Sequence, residues 1–162
     1  MTAKQSNALS PVFLRDFGNR WDAAWNSHDT NRVLELLDVD ITWDDTVFWP
    51  SVIEGIGGMR DYVDTIWKVM PDVVFEEVQF FTAPDEGRAL YLFRQSGSAP
   101  ERYGAGRFAT YGCDIFLRFN KGKLAHYLAQ YEMTEMMRQY GALPPRANLL
   151  GGSYLLSLIQ GL

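Results

Sequence analysis

The chain has 162 residues, a net charge of −5 and a pI near 5.0, which bounds it to one domain, residues 1–162, with material for a sizeable core. The charge and the lack of any basic cluster argue against nucleic acid as a partner, and the single Cys113 excludes an internal disulfide or a cysteine-based metal site and fits a reducing compartment. The N-terminus has no apolar signal-peptide core and no apolar run reaches the roughly 18 residues of a membrane span, so a cytoplasmic protein is expected.

In chain order, Ser10-Pro11 reads as N-cap and first helical residue. Leu14, Phe17, Trp21 and Trp25 then recur at helical spacing and share one face. Asn26-Ser27-His28 breaks this helix, and Asp29-Thr30 caps a short second one carrying Val33, Leu34 and Leu37. A strand is expected over 40–49, ended by Pro50. Gly55, Gly57 and Gly58 make a flexible turn. A third helix over about 59–69 puts Met59, Tyr62, Val63, Ile66 and Trp67 inward, and Pro71 stops it. Strands follow over 73–81, 88–97, 107–119 and 123–131, with a loop over 98–106. A last helix follows Glu132, and from about 142 the tail is apolar. The order α-α-β-α-β-β-β-β-α is the α+β pattern, helices first and then an antiparallel sheet.

Five landmarks in this order resemble the nuclear transport factor 2-like superfamily, and within it the SnoaL-like polyketide cyclase group. They are Ala24-Trp25-Asn26-Ser27-His28-Asp29, Asp40-Ile41-Thr42-Trp43-Asp44-Asp45, Glu54-Gly55, Pro71-Asp72-Val73-Val74-Phe75, and Asn120-Lys121-Gly122-Lys123-Leu124. The resemblance covers about residues 10 to 141. It implies a cone: a curved antiparallel sheet with N-terminal helices around a hydrophobic pocket. It does not fix the reaction, because one fold of this kind hosts many chemistries.

The chain also departs from what the resemblance implies. Cyclases and limonene-type epoxide hydrolases of the superfamily carry an acid late in the last strand, where this chain has Ala129. The hydrolases carry Arg-x-Asp on a middle strand, where this chain has Arg94-Gln95-Ser96. An epoxide hydrolase of that type is therefore disfavoured.

Other residues are candidates for acid–base work. Alternation along a strand puts Trp43 and Asp45 on one face, and a carboxylate facing an aromatic pocket is desolvated and raised in pKa. The competing reading leaves Asp45 at a strand end in water. Asp114 and His126 depend on the hairpin between their strands. A two-residue Lys121-Gly122 turn pairs Asp114 with Ala129 and sends His126 to the opposite face; a three-residue turn with a glycine bulge reverses this. Arg94 is either an oxyanion clamp or a solvated strand-end cation. His28 is a polar turn residue. Trp25, Trp43, Tyr62, Trp67, Tyr103, Tyr127 and Tyr131 supply core and pocket wall. No metal-ligand spacing, phosphate loop or nucleophilic triad is present, so no cofactor is expected.

The expectation is a cofactor-independent lyase, isomerase or cyclase acting on a hydrophobic aromatic or polycyclic small molecule. Formaldehyde-releasing C–C cleavage of an aromatic diol is one version. Catalysis would rest on Asp45, Arg94, Asp114 and His126, and binding on Trp25, Trp43, Tyr62, Tyr127 and Tyr131. The other class is a non-catalytic binding or scaffold protein of the same fold. The apolar tail suggests a homodimer or higher oligomer.

Overall fold

Ser10 opens the first helix as the sequence implies: its Oγ accepts from the Phe13 amide at 3.0 Å, and Pro11 takes the first helical position. The computed structural model describes residues 8–99, 106–143 and 159. Helix α1 (Pro11–Asn26) buries Leu14, Phe17, Trp21 and Trp25, the stripe set by their spacing. Two residues past its end, His28 has a left-handed φ of 54° that turns the chain away. The imidazole of His28 stacks on Trp67 at 4.8 Å, and its Nε2 donates to the Val73 carbonyl at 2.7 Å. Asp29 then caps α2 (Thr30–Leu34) by accepting from the Asn31 amide at 2.9 Å.

Strand β1 is Leu37–Asp44, earlier than the expected 40–49. Leu37 belongs to this strand, not to α2. The strand stops early because the Asp44 carboxylate accepts from the Thr46 amide and hydroxyl, at 3.2 and 2.9 Å, and turns the chain. A short return strand, β2 (Ile53–Glu54), pairs antiparallel with β1. Helix α3 (Met59–Val69) buries Met59, Tyr62, Val63 and Ile66; Trp67 is only half-buried.

The remaining strands are β3 (Val74–Ala83), β4 (Arg88–Ser98), β5 (Arg107–Asn120) and β6 (Lys123–Tyr131), followed by α4 (Met133–Gln139). The sheet has six strands in the order β2-β1-β6-β5-β4-β3. Neighbours run antiparallel except β1 with β6, which are joined by most of the chain and not by a hairpin. This is the expected α+β architecture. Tyr103 and the tail beyond 143, Ile159 apart, lie outside the described residues.

The β5–β6 hairpin resolves the register left open by the sequence. Lys121 and Gly122 have φ of 48° and 81°, the two left-handed residues of a tight turn closed by the Asn120–Lys123 pair. Two irregularities follow, between Arg118 and Phe119 and between Phe116 and Arg118. Each strand loops out one residue, Ala125 on β6 and Leu117 on β5, so the offsets cancel. Asp114 therefore pairs with Ala129 as a plain two-residue turn requires. Asp114, Phe116, Tyr127 and Ala129 are all buried on the concave side.

Candidate active site

The concave face of the sheet, α1, α3 and α4 enclose a cavity of about 570 Å³ of empty space, its mouth included. Its wall is mostly aromatic and aliphatic, and two buried carboxylates stand in it, Asp45 and Asp114.

Asp45 lies just past the end of β1, held by the turn that Asp44 initiates. Its backbone carbonyl accepts from the Phe48 and Trp49 amides at 3.0 and 2.7 Å. Its side chain is 1% exposed, so the reading that left it in water at a strand end is excluded. The Tyr62 hydroxyl of α3 donates to Asp45 Oδ2, and the Tyr131 hydroxyl of β6 sits 2.7 and 2.8 Å from its two oxygens. Burial pushes the Asp45 carboxyl up to about 6, against the pull of these two hydroxyls, which favour the charged form.

Asp114 is held on the opposite side of Ala129. Trp21 Nε1 donates to its Oδ2 at 2.8 Å, and the Tyr127 hydroxyl donates to its Oδ1. Burial pushes this carboxyl up to about 7; the hydrogen bonds from Tyr127 and Trp21 oppose the rise, and the Asp45 charge adds to it. Burial raises the Tyr62, Tyr127 and Tyr131 hydroxyls as well, so all three remain proton donors at neutral pH.

The site thus holds two carboxyl groups raised toward neutral pH and three phenolic donors. Two carboxyl groups raised toward neutral pH by burial in one cavity form the pattern of an acid–base site. Among the described residues no three His, Cys, Asp or Glu side chains gather as a metal-ligand set.

The expected site residues divide. Asp45, Asp114, Tyr62, Tyr127, Tyr131 and Trp25 all line the cavity. Trp43 does not. It is fully buried, but its ring lies flat on Tyr127 at 3.7 Å and close to Trp21, so it supports the wall from behind. Arg94 is exposed: it alternates with the inward Phe93 and Gln95, and its side chain therefore leaves on the other face of β4. It makes no oxyanion clamp in this cavity. His126 is half-buried between the inward Ala125 and Tyr127 and also lies outside the cavity, as the observed register requires. His28 lies in the helix break, away from the cavity lining.

Sequence reasoning missed several lining residues. Tyr91, Phe93 and Gln95 occupy alternate positions of β4, and that alternation was a readable signal. Trp21 was visible in the helical stripe, but not its bond to Asp114. Asp22 flanks that stripe and accepts from the Tyr91 hydroxyl at 2.5 Å. Met133 and Met136 of α4 close one side.

The model of the SnoaL-like domain matches residues 19–127, from the middle of α1 to Tyr127. The chain belongs to the SnoaL-like domain family, within the nuclear transport factor 2-like superfamily. No curated protein matches it significantly. Among solved structures, TsrD from Streptomyces laurentii is 22% identical over 83% of this chain and 99% of that one, with a TM-score of 0.69. A protein of ketosteroid isomerase-like fold from Catenulispora acidiphila, solved with trimethylamine, is 16% identical over 82% and 95% of the two chains, with a TM-score of 0.69. SalBIII, an epoxide hydrolase/cyclase-like enzyme with a role in pyran ring formation in the polyether salinomycin, is 17% identical over 75% and 92%, with a TM-score of 0.64. At such identities the shared property is the fold. The SnoaL-like cone hosts different reactions, so the chemistry of this member must be argued from its own carboxylates.

Proposed function

We propose that this SnoaL-like protein is a cofactor-independent acid–base enzyme of the cyclase, isomerase or lyase type acting on a hydrophobic small molecule. The observation that carries the reading is the pair of buried carboxylates, raised to about 6 and about 7, facing one apolar cavity.

Asp45 is the base. Ionised at neutral pH, it takes a proton from a carbon beside a carbonyl, or from a β-hydroxyl group. In the first case the C–H electron pair becomes an enolate. In the second the O–H pair forms a new carbonyl, the carbon–carbon bond breaks, and its pair forms the enolate whose charge rests on the original carbonyl oxygen. Asp114 and Tyr127 serve that oxygen. When Asp114 is protonated, its O–H donates to the Tyr127 oxygen, which frees the Tyr127 hydroxyl proton for the substrate. A preorganised donor aimed at developing charge in a dry cavity is among the strongest catalytic effects. The aromatic wall, with Trp21, Trp25, Phe75 and Phe93, suits a flat hydrophobic substrate. In an aryl 1,3-diol the lyase form of this chemistry has a different sink: Asp45 takes the primary hydroxyl proton, the O–H pair becomes the C=O of formaldehyde, and the broken carbon–carbon bond's pair forms an alkene as the other hydroxyl, protonated by Tyr127, leaves as water.

The test is a panel of aryl ketones, aryl β-hydroxy ketones and aryl diols incubated in D2O. Nuclear magnetic resonance reads deuterium incorporation at the α-carbon and formaldehyde release. Exchange or cleavage well above buffer, lowered about 10²–10⁴-fold by Asp45→Asn, is the expected result. Saturable binding with no exchange or cleavage above buffer would instead identify a binding module.

A further inference from the structure

Among the described residues that line the cavity three are carboxylates, Asp22, Asp45 and Asp114, and none is Lys, Arg or His. The first of these is bonded to Tyr91, which pairs with Asp114 across β4 and β5, and it is not one of the two proton-transfer groups. Asp22 sits on α1, half-buried, with only the Tyr91 hydroxyl described on its carboxylate. Arg15, two turns earlier on the helix, is held by Glu77 in a two-point pair at 2.8 and 2.6 Å. Beside Asp22 the rings run in a connected series. Tyr91 stacks on Phe93 at 5.6 Å, Phe93 meets Phe75 edge-on at 5.5 Å, and Phe75 meets Trp25 at 5.9 Å. All of these residues line the same cavity.

We propose that this end of the cavity is a subsite for a positively charged nitrogen, so that the ligand is a hydrophobic molecule bearing a protonated tertiary amine or a quaternary ammonium group. The proposal rests on the reading of the cavity as the ligand site and names the class of ligand it takes. A series of aromatic faces attracts a cation through the ring quadrupoles. Asp22 supplies a counter-charge: Arg15 attracts it through space but directs its hydrogen bonds to Glu77. An anionic ligand would lose its water and meet three acidic groups with no basic partner, which a low-dielectric cavity makes costly. A neutral ligand of the same shape would gain the apolar contact but neither electrostatic attraction.

The experiment compares three probes of related size by calorimetry and by quenching of tryptophan fluorescence: benzyltrimethylammonium, its carbon isostere neopentylbenzene, and phenylacetate. The cation should bind at least about tenfold more tightly than the isostere, and phenylacetate should bind worst. Asp22→Asn should reduce the preference of cation over isostere several-fold and leave the isostere's affinity unchanged, which also shows that the variant is folded. An isostere that binds the wild-type protein as tightly as the cation overturns the proposal, as does a cation preference untouched by Asp22→Asn. Failure of all three probes to bind saturably overturns it too. None of these outcomes bears on proton transfer by Asp45, which is read separately from turnover of Asp45→Asn.

Discussion

Asp45 and Asp114 flank Ala129. Asp114 pairs with Ala129 across β5 and β6, and Asp45 comes one step after the Asp44–Leu128 pair of β1 and β6. The two backbones are therefore separated by two strand spacings, roughly 10 Å. Ala129 is fully buried between them. The resemblance to the superfamily implies an acid at Ala129; here the two buried acids stand to either side of it, one on β5 and one just past the end of β1.

Replacing Asp45 by Asn separates proton transfer from structure. Asn keeps an oxygen to accept from Tyr62 or Tyr131 but cannot take a proton near neutral pH. Turnover on the true substrate should fall by about 10²–10⁴, with the melting temperature within a few degrees of wild type. Unchanged turnover would reassign Asp45 to a structural role and leave Asp114 as the acid–base group.

Asp114→Asn should change how stability depends on pH. The native Asp114 carboxyl is raised from 3.8 to about 7. Between these values the folded state binds more protons than the unfolded one, so this group's contribution to stability falls as pH rises. The contribution is complete below about 4 and lost above about 7. Near 1.4 kcal/mol per unit, the loss is of the order of a few kcal/mol. The difference between wild-type and Asp114→Asn unfolding free energies, measured by urea denaturation from pH 4 to 8, should therefore shift in favour of the variant as pH rises. A difference that is flat with pH would mean that Asp114 titrates near its ordinary value.

The helical stripe of α1, the α3 face and the alternation of β4 were legible because burial follows the 3.6 and 2.0 periods. Asp45 was legible for the same reason, two residues after Trp43 on an inward face. The bond from Trp21 Nε1 to Asp114 was not, since the residues are 93 positions apart and meet only once the sheet closes on α1. The hairpin register was undecidable because a looped-out residue leaves no mark in composition. Two of them cancel here, so the observed pairing is that of the two-residue alternative. Arg94 was misplaced by motif resemblance against the strand's own alternation, which puts Phe93 and Gln95 inward.

Gly112→Ala should destabilise the fold and deform the cavity. An added Cβ would lie 2.3 Å from Phe93 Cζ and 3.0 Å from Tyr131 Cβ. Phe93 is 3% exposed and forms wall, so its ring has little freedom to retreat. Overpacking of this kind costs about 1–3 kcal/mol. Thermal unfolding should show a lower midpoint, and ligand affinity should drop with it. A variant as stable as wild type would mean that the Phe93 ring moves freely.

Self-association is expected. Val74 and Phe81 on β3 and Tyr111 on β5 are 48%, 53% and 51% exposed, and their β4 partners Ser96, Leu90 and Arg94 all alternate away from the cavity, so the three share the outer face of the sheet. Light scattering at micromolar concentration should give at least twice the mass of 18.5 kDa. A mass of one chain would assign this surface to another partner.

Tyr131→Phe tests the tuning of Asp45 most directly. The Tyr131 hydroxyl contacts both Asp45 oxygens, at 2.7 and 2.8 Å, and favours the ionised form. Phe keeps the ring and removes this donor. The Asp45 carboxyl, already raised to about 6 by burial, should rise further. A hydrogen bond to a charged group is worth about 1.5–3 kcal/mol, so the shift should be of the order of one pH unit or somewhat more. The acid limb of the pH–rate profile should move up by that amount. Near pH 8, where Asp45 is ionised in both proteins, turnover should be nearly preserved; at pH 6 it should fall about tenfold. A uniform drop at every pH, with the limb unmoved, would mean that Tyr131 acts on the substrate and not on Asp45. Tyr62→Phe should shift the limb the same way, since its hydroxyl donates to the same carboxylate.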